Sequence, residues 1–359
     1  MNSHSISFYE NDDPIYSAHH HAALLIDLVQ GRSSHKVDRH NSHNINSHNL
    51  LSGTGLFYED VVSGEKNISG QQFLRLIKNA QHEYKYNDLS FRWGHTLWPG
   101  HYDCFSQLLG NCQNLYQTLQ VLSEYRLKLS PLITPIITQD SRYCYIQWRD
   151  AIGLGEQRKF VIESWMTGFA ALCRFRSKQK LPWHFGFSHS QPKHKEQYQV
   201  NLGEQIYFDL GIDVMAIDKA YLHQNWQHET STAYNIALHQ CQKKSTAKIG
   251  FIERVFDYIQ TNVRQSLTLE DVAAHFHMSS ATFKRKLKKH NSHFQQLQDQ
   301  ARLSTALYLY QCNGFNNSQV ARYLNFNDMP NYRRAFKRWS GRTPNNLKQD
   351  LLMPVINPV

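Results

Sequence analysis

SLTLEDVAAHFHMSSATFKRKLKK (Ser266–Lys289) and SQVARYLNFNDMPNYRRAFKRWSGRTPNNLK (Ser318–Lys348) carry the same pattern twice. Val272 and Ala273 recur as Val320 and Ala321, Phe276 as Leu324 and Met278 as Phe326, all at an offset of 48. Beyond that point the offset is 49: Phe283 matches Tyr332, Lys284 and Arg285 match Arg333 and Arg334, Leu287 matches Phe336, and Lys288 and Lys289 match Lys337 and Arg338. Each copy predicts a short helix (Leu269–His275, then Ser318–Leu324), a polar turn, and a longer basic helix (Ser280–Lys289, then Pro330–Trp339). In each longer helix an apolar pair at i, i+4 marks the face that docks on the short helix, and the basic residues fall elsewhere. Ser279 is placed to cap the first longer helix, and Pro330 suits the first turn of the second.

This is the layout of a helix-turn-helix, whose second helix enters the major groove of DNA. The chemistry of the exposed residues agrees. Arg285 and Arg334 carry bidentate donors suited to guanine, Asn331 is suited to adenine, and Thr282 to a thymine methyl. Lys288, Lys289, Lys337 and Arg338, a turn further on, are expected on phosphates, which fix register without reading sequence. One basic helix would be read as a solvated charged face; two with matched basic and apolar positions are not. Between the units Phe294, Leu297, Ala301, Leu303, Ala306, Leu307 and Leu309 predict an apolar-faced connector helix that holds the two readers about one DNA turn, ~34 Å, apart.

Charge follows the same division. Of the formal charge of +10, residues 247–350 hold 16 Lys and Arg against 7 Asp and Glu, and the remainder of the chain is almost neutral. A basic segment joined to a neutral one is the footprint of nucleic-acid binding. Length (359 residues) and 41% apolar content fit two folded domains. No apolar run reaches the ~18 residues of a membrane span, and no secretory leader is evident, so a cytoplasmic protein without a membrane partner is expected. The six dispersed cysteines read as reduced, mostly buried thiols.

The first 240 residues read as mixed helix and sheet. Helices are expected at His19–Val29, from Ser69, from Asn114, and over Glu156–Phe175; strands at Ile133–Thr138, Tyr143–Trp148 and twice within Val200–Asp209. Residues 31–49, rich in Ser, Asn and His, read as a mobile loop. The run His19, His20, His21 with His35, His40, His43 and His48 offers imidazoles, but no i, i+4 pair, and is taken as solvated polar sequence; neither metal nor cofactor is expected. Trp93, Trp98, Trp148, Trp165 and Trp183 are expected chiefly in the core. There is no G-x-S-x-G, phosphate loop or H-E-x-x-H, and Gly153-Leu154-Gly155 alone means nothing, so catalytic residues are not expected and the chain is not read as an enzyme.

Residues 250–349 resemble the DNA-binding domain of the AraC/XylS family of bacterial regulators, the second unit ending in that family's G-x-[ST]-P at Gly341–Pro344. The resemblance implies base reading by Ser280, Thr282, Lys284 and Arg285 in the first unit and by Asn331, Arg333 and Arg334 in the second. Two departures stand out: His290 and Asn291 where the family often has Gly, and Pro330 at the start of the second reading helix. LSFRWGHTLWPGHYDCFSQLLGNCQNLYQTLQVLSEYRLKLSP (Leu89–Pro131) and IYFDLGIDVMAIDKAYL (Ile206–Leu222) resemble the longer members that govern ornithine use and mycobacterial virulence. That likeness implies a mixed α and β module that senses an effector or dimerises, not a sugar-binding jelly roll.

The expectation is thus an α+β domain over 1–240, a linker at 241–249, an all-α DNA-binding domain at 250–350 with two helix-turn-helix units and a linker helix, and a tail at 351–359. Double-stranded promoter DNA, a small-molecule effector, a second copy of the chain and RNA polymerase are the expected partners, and activation the expected sign. A non-specific architectural DNA-binding protein is the alternative, with an enzyme bearing a basic domain behind it.

Overall fold

The computed structural model describes residues 8–33, 48–226, 231–244 and 249–348. Most of the expected loop, with His35, His40 and His43, residues 245–248 of the expected linker, and the 351–359 tail lie outside the described residues.

Two short strands, β1 (Tyr16–Ser17) and β2 (Asn67–Ile68), pair antiparallel near the start of the chain. The main sheet has five strands: β3 (Ile133–Gln139), β4 (Tyr143–Asp150), β5 (His184–Gly186), β6 (Ile206–Tyr207) and β7 (Val214–Asp218). Their order is β3-β4-β7-β5-β6, antiparallel except for the parallel pair β5 and β6.

Side chains of a strand alternate between faces, and here both faces are covered. From β4, Cys144, Ile146 and Trp148 enter the large amino-terminal core together with Met215 and Ile217 of β7. Tyr143 and Tyr145, with Val214 and Ala216, enter a second core beside Leu303, Leu307 and Tyr310 of the connector helix, Phe294–Gln311. A sheet apolar on both faces explains why β4 reads YCYIQW rather than apolar-polar-apolar. The helical carboxy-terminal domain is what buries the second face.

The first face is packed by the helix Arg158–Ser177, which buries Trp165, Phe169, Leu172 and Cys173. The helix Gly70–Glu83 starts at Ser69, whose hydroxyl accepts from the Gln72 amide in a capping box. Asn114 caps Leu115–Glu124, its side-chain oxygen accepting from the Gln117 amide. All five central tryptophans are buried, as are five of the six cysteines, with Cys312 half-buried.

Two expectations need correction. The His19–Val29 helix is a π-turn at Ala18–Ala22 that leads into an α-helix, Ala23–Ser33. Val200–Asp209 is not two strands: a helix, Lys195–Leu202, buries Tyr198 and Leu202 at i, i+4, and only Ile206–Tyr207 pairs as strand. The strands β5 and β7 and the helix Ser231–Lys244 carried no alternation or caps strong enough to announce them. Among the described residues no helix is long and apolar enough to cross a membrane.

Candidate nucleic-acid interface

The repeated sequence folds into repeated structure, down to individual hydrogen bonds. The short helices Leu269–His275 and Asn317–Tyr323 begin with capping boxes at Thr268 and Asn316, 48 positions apart. Each turn passes through a residue with positive φ, His277 (56°) and Asn325 (60°), again 48 apart. Each then closes with the same bond, Met278 N–H to the Ala273 carbonyl and Phe326 N–H to the Ala321 carbonyl, both 2.9 Å. The longer helices follow: Ser280–Lys289 capped by Ser279, and Met329–Ser340 capped by Asp328 with Pro330 in its first turn. Pro330 therefore costs no intrahelical bond, because first-turn amides have no partner within the helix.

Each longer helix buries its aromatic stripe. Phe283 and Leu287 pack with Phe251, Val255 and Val272; Tyr332 and Phe336 pack with Leu307 and Val320, and the Tyr332 hydroxyl meets that of Tyr310 at 2.5 Å. What remains outward is the charged face. Lys284, Arg285 and Lys288 are exposed on the first helix, and Asn331, Arg333, Arg334, Lys337 and Arg338 on the second. Ser280 and Thr282 are half-buried, and the Thr282 hydroxyl lies 2.9 Å from that of the capping Ser279. The second helix carries a polar chain that the sequence did not announce: Asp328 holds the Asn331 amide, and the Asn331 carbonyl oxygen accepts from Arg334. Reading adenine with Asn331 requires that chain to open.

The phosphate candidates divide. Lys288 and Lys337 are exposed, whereas Arg338 pairs with Asp299 on the connector helix at 2.9 Å. Lys289 lies 3.0 Å from Glu10 and 2.6 Å from Asp12, and Lys286 also grips Glu10. Burial raises the Glu10 carboxyl pKa, but the two lysines outweigh it and hold it below the ordinary value. Lys286 had no role assigned from sequence, because its partner lies 276 residues away.

The same helix end is where the domains meet. His290 is 1% exposed, with Nδ1 3.1 Å from the Ile152 carbonyl, and Asn291 donates to the Gly153 carbonyl at 2.8 Å. Asn291 has φ 49°, so it fills a left-handed position that glycine often takes, while its side chain adds an interdomain bond. Nearby, the buried Glu253 of the helix Phe251–Thr261 accepts from Arg126 and faces Arg149, which also reaches Asp257 at 3.0 Å. Gln147 of β4 accepts from Ser304 of the connector helix at 3.2 Å.

The amino-terminal domain holds a polar cavity of about 420 Å³ lined by Tyr84, Tyr86, Lys159, Phe160, Glu163 and His194 among others. Glu163, 4% exposed, accepts from Ser90 at 2.6 Å and from the Tyr198 hydroxyl, with Lys159 3.8 Å away. Its size falls in the range of small-molecule sites.

Residues 45–225 match the family model described as the arabinose-binding domain of AraC transcription regulator, N-terminal, and residues 272–350 match a helix-turn-helix domain. The ornithine utilization regulator of Pseudomonas aeruginosa is 23% identical over 245 residues, 66% of this chain and 71% of that one. The crystal structure of the transcriptional regulator CdpR from Pseudomonas aeruginosa aligns with 92% of this chain and 98% of its own, at 14% identity and a TM-score of 0.38. A DNA-binding transcriptional dual regulator from Escherichia coli K-12 aligns over 29% of this chain and 95% of its own, at 25% identity and a TM-score of 0.27. With one family model spanning half of the chain and the other its helix-turn-helix end, the protein belongs to the AraC family of transcription regulators, with a DNA-binding domain joined to a ligand-binding amino-terminal domain.

Proposed function

We infer that the chain reads a specific promoter sequence with both longer helices and activates transcription there, under control of its amino-terminal domain through a small molecule or dimerisation. The observation that carries this is the pair of outward basic faces, Lys284 and Arg285 on one helix and Arg333 and Arg334 on the other, set on frames that match bond for bond. Arg285 and Arg334 are assigned to bases with Asn331, Arg333, Lys284, Thr282 and Ser280; Lys288, Lys289, Lys337 and Arg338 to phosphates. We place the domain junction after the helix Ser231–Lys244, whose Cys241 belongs to the amino-terminal core.

For the effector we assign the cavity beside Glu163. A buried carboxylate with lysine 3.8 Å away suits a small ligand bearing both an amine and an acid group, and the ornithine utilization regulator among the relatives agrees with that chemistry. Competition between a selected promoter fragment and scrambled DNA, repeated over a range of salt, tests the main reading. Equal affinity for both at every salt would mean counterion release alone and an architectural protein instead.

A further inference from the structure

We propose that His19, His20 and Asp103 form a binding site for a divalent first-row transition-metal ion of the zinc class. A ring nitrogen from each histidine and a carboxylate oxygen of Asp103 lie within 4.8 Å of one another. In the sequence the imidazoles stand without an i, i+4 pair, since neighbouring histidines cannot share one face of an α-helix, and Asp103 is remote. The π-turn Ala18–Ala22 resolves the difficulty: His20 leaves helical geometry (φ −90°, ψ −116°), and the two rings meet at 4.4 Å between centroids.

His20 supplies the decisive observation. It is 7% exposed, and its buried Nε2 has no hydrogen-bond partner among the described residues. A buried imidazole nitrogen without a partner is costly unless something occupies it. His19 is held in place: the Ser17 hydroxyl lies 2.6 Å from its Nδ1, and its ring packs over Gly64, where a Cβ would come within 2.9 Å of the ring's Cγ. Asp103 heads the helix Cys104–Gly110 yet its carboxylate makes no capping bond there, so it is available.

Two imidazoles and one carboxylate are a donor set for zinc and its neighbours, with water as the fourth ligand; calcium and magnesium want oxygen throughout. Donors on a tetrahedral ion sit roughly 3.4 Å apart at bond lengths near 2.1 Å, so side-chain rotation of about an ångström completes the set. Lys244, 3.4 Å from Asp103, is the competing cation. Both side chains of that pair are more than half exposed, and an exposed pair of this kind is weak. The ion displaces the ammonium.

The test uses the full-length, tag-free protein after chelator treatment, titrated with Co²⁺ for its visible absorption and with Zn²⁺ against a chromophoric chelator. One tight equivalent with a tetrahedral Co²⁺ spectrum is expected. His19→Gln and Asp103→Asn, at positions that are not fully buried, should each weaken it about 100-fold or more while circular dichroism is unchanged, and His82→Gln should not. The absence of a tight equivalent in the wild type, or its persistence in both variants, overturns the site and leaves adventitious binding by other histidines.

Discussion

Lys289, in the last turn of the helix Ser280–Lys289, holds Glu10 at 3.0 Å across 279 residues of sequence. With Asp12 and Lys286 this makes a cluster in which two carboxylates occupy a lysine proposed above for phosphate contact. If Lys289 contacts DNA, it must first give up these partners. The double change Glu10→Gln, Asp12→Asn should therefore tighten DNA binding several-fold at low salt and steepen the dependence of log K on log salt by about one. Fluorescence anisotropy at four salt concentrations measures both. Unchanged affinity and slope would mean that Lys289 never reaches the backbone.

Arg285 and Arg334 should behave differently from Lys288 and Lys337. Replacing either arginine by alanine is expected to cost about 1–3 kcal/mol on the preferred site and much less on scrambled DNA, so discrimination narrows. Replacing either lysine should weaken both DNAs alike and lower the salt slope by about one. Selection of binding sites from a random pool with each variant separates the two classes. Arginine variants that retain the wild-type consensus would remove these residues from base reading.

The contrast between the two domains explains what the sequence could disclose. In the DNA-binding domain, caps, turn and apolar pairs lie within some 25 residues, and a second copy repeats them, so Ser279, the outward basic face and the helix bounds, the second unit's to within one residue, were legible. The pairs that modify that face were not: Glu10, Asp12 and Asp299 lie on other elements, and nothing local to Lys289 or Arg338 points to them. In the amino-terminal domain β3 and β4 announced themselves through β-branched and aromatic residues and β6 falls within the expected Val200–Asp209 region, while β5 and β7, of three and five residues, owe their pairing to the sheet they complete. Tyr143 and Tyr145 belonged to a face whose cover could be known only from the other domain.

Gly153 fixes how closely the domains approach. Its φ is 89°, and a Cβ there would collide with the carbonyl oxygen of His290; at Gly211 (φ 71°) a Cβ would lie 2.7 Å from the Ser340 backbone. Alanine at either position combines strain of about 1–3 kcal/mol with a backbone clash that no side-chain motion relieves. Both variants should keep the secondary structure of the wild type but separate the domains, raising the radius of gyration in small-angle scattering. Wild-type scattering from Gly153→Ala would place the docked arrangement in doubt.

Docking should also respond to pH through His290. Burial lowers its pKa most; the Ile152 carbonyl and the charges of Glu10 and Asp150 act in the opposite sense, and Lys289 reinforces the lowering. The ring is therefore neutral when docked and takes up a proton more readily once exposed. Its contribution to docking is full above the ordinary histidine pKa of about 6.5 and falls as pH drops below it. Glu10, with its carboxyl held low by Lys286 and Lys289, keeps its own contribution until the pH nears the carboxylate range, so it does not act in the same window. Hydrogen exchange at the Ile152–Gly153 amides should thus accelerate between pH 7.5 and 5.5, after correction for intrinsic rates, and His290→Asn should flatten that change. If exchange in the wild type tracks the intrinsic rate throughout, the buried imidazole does not govern the interface.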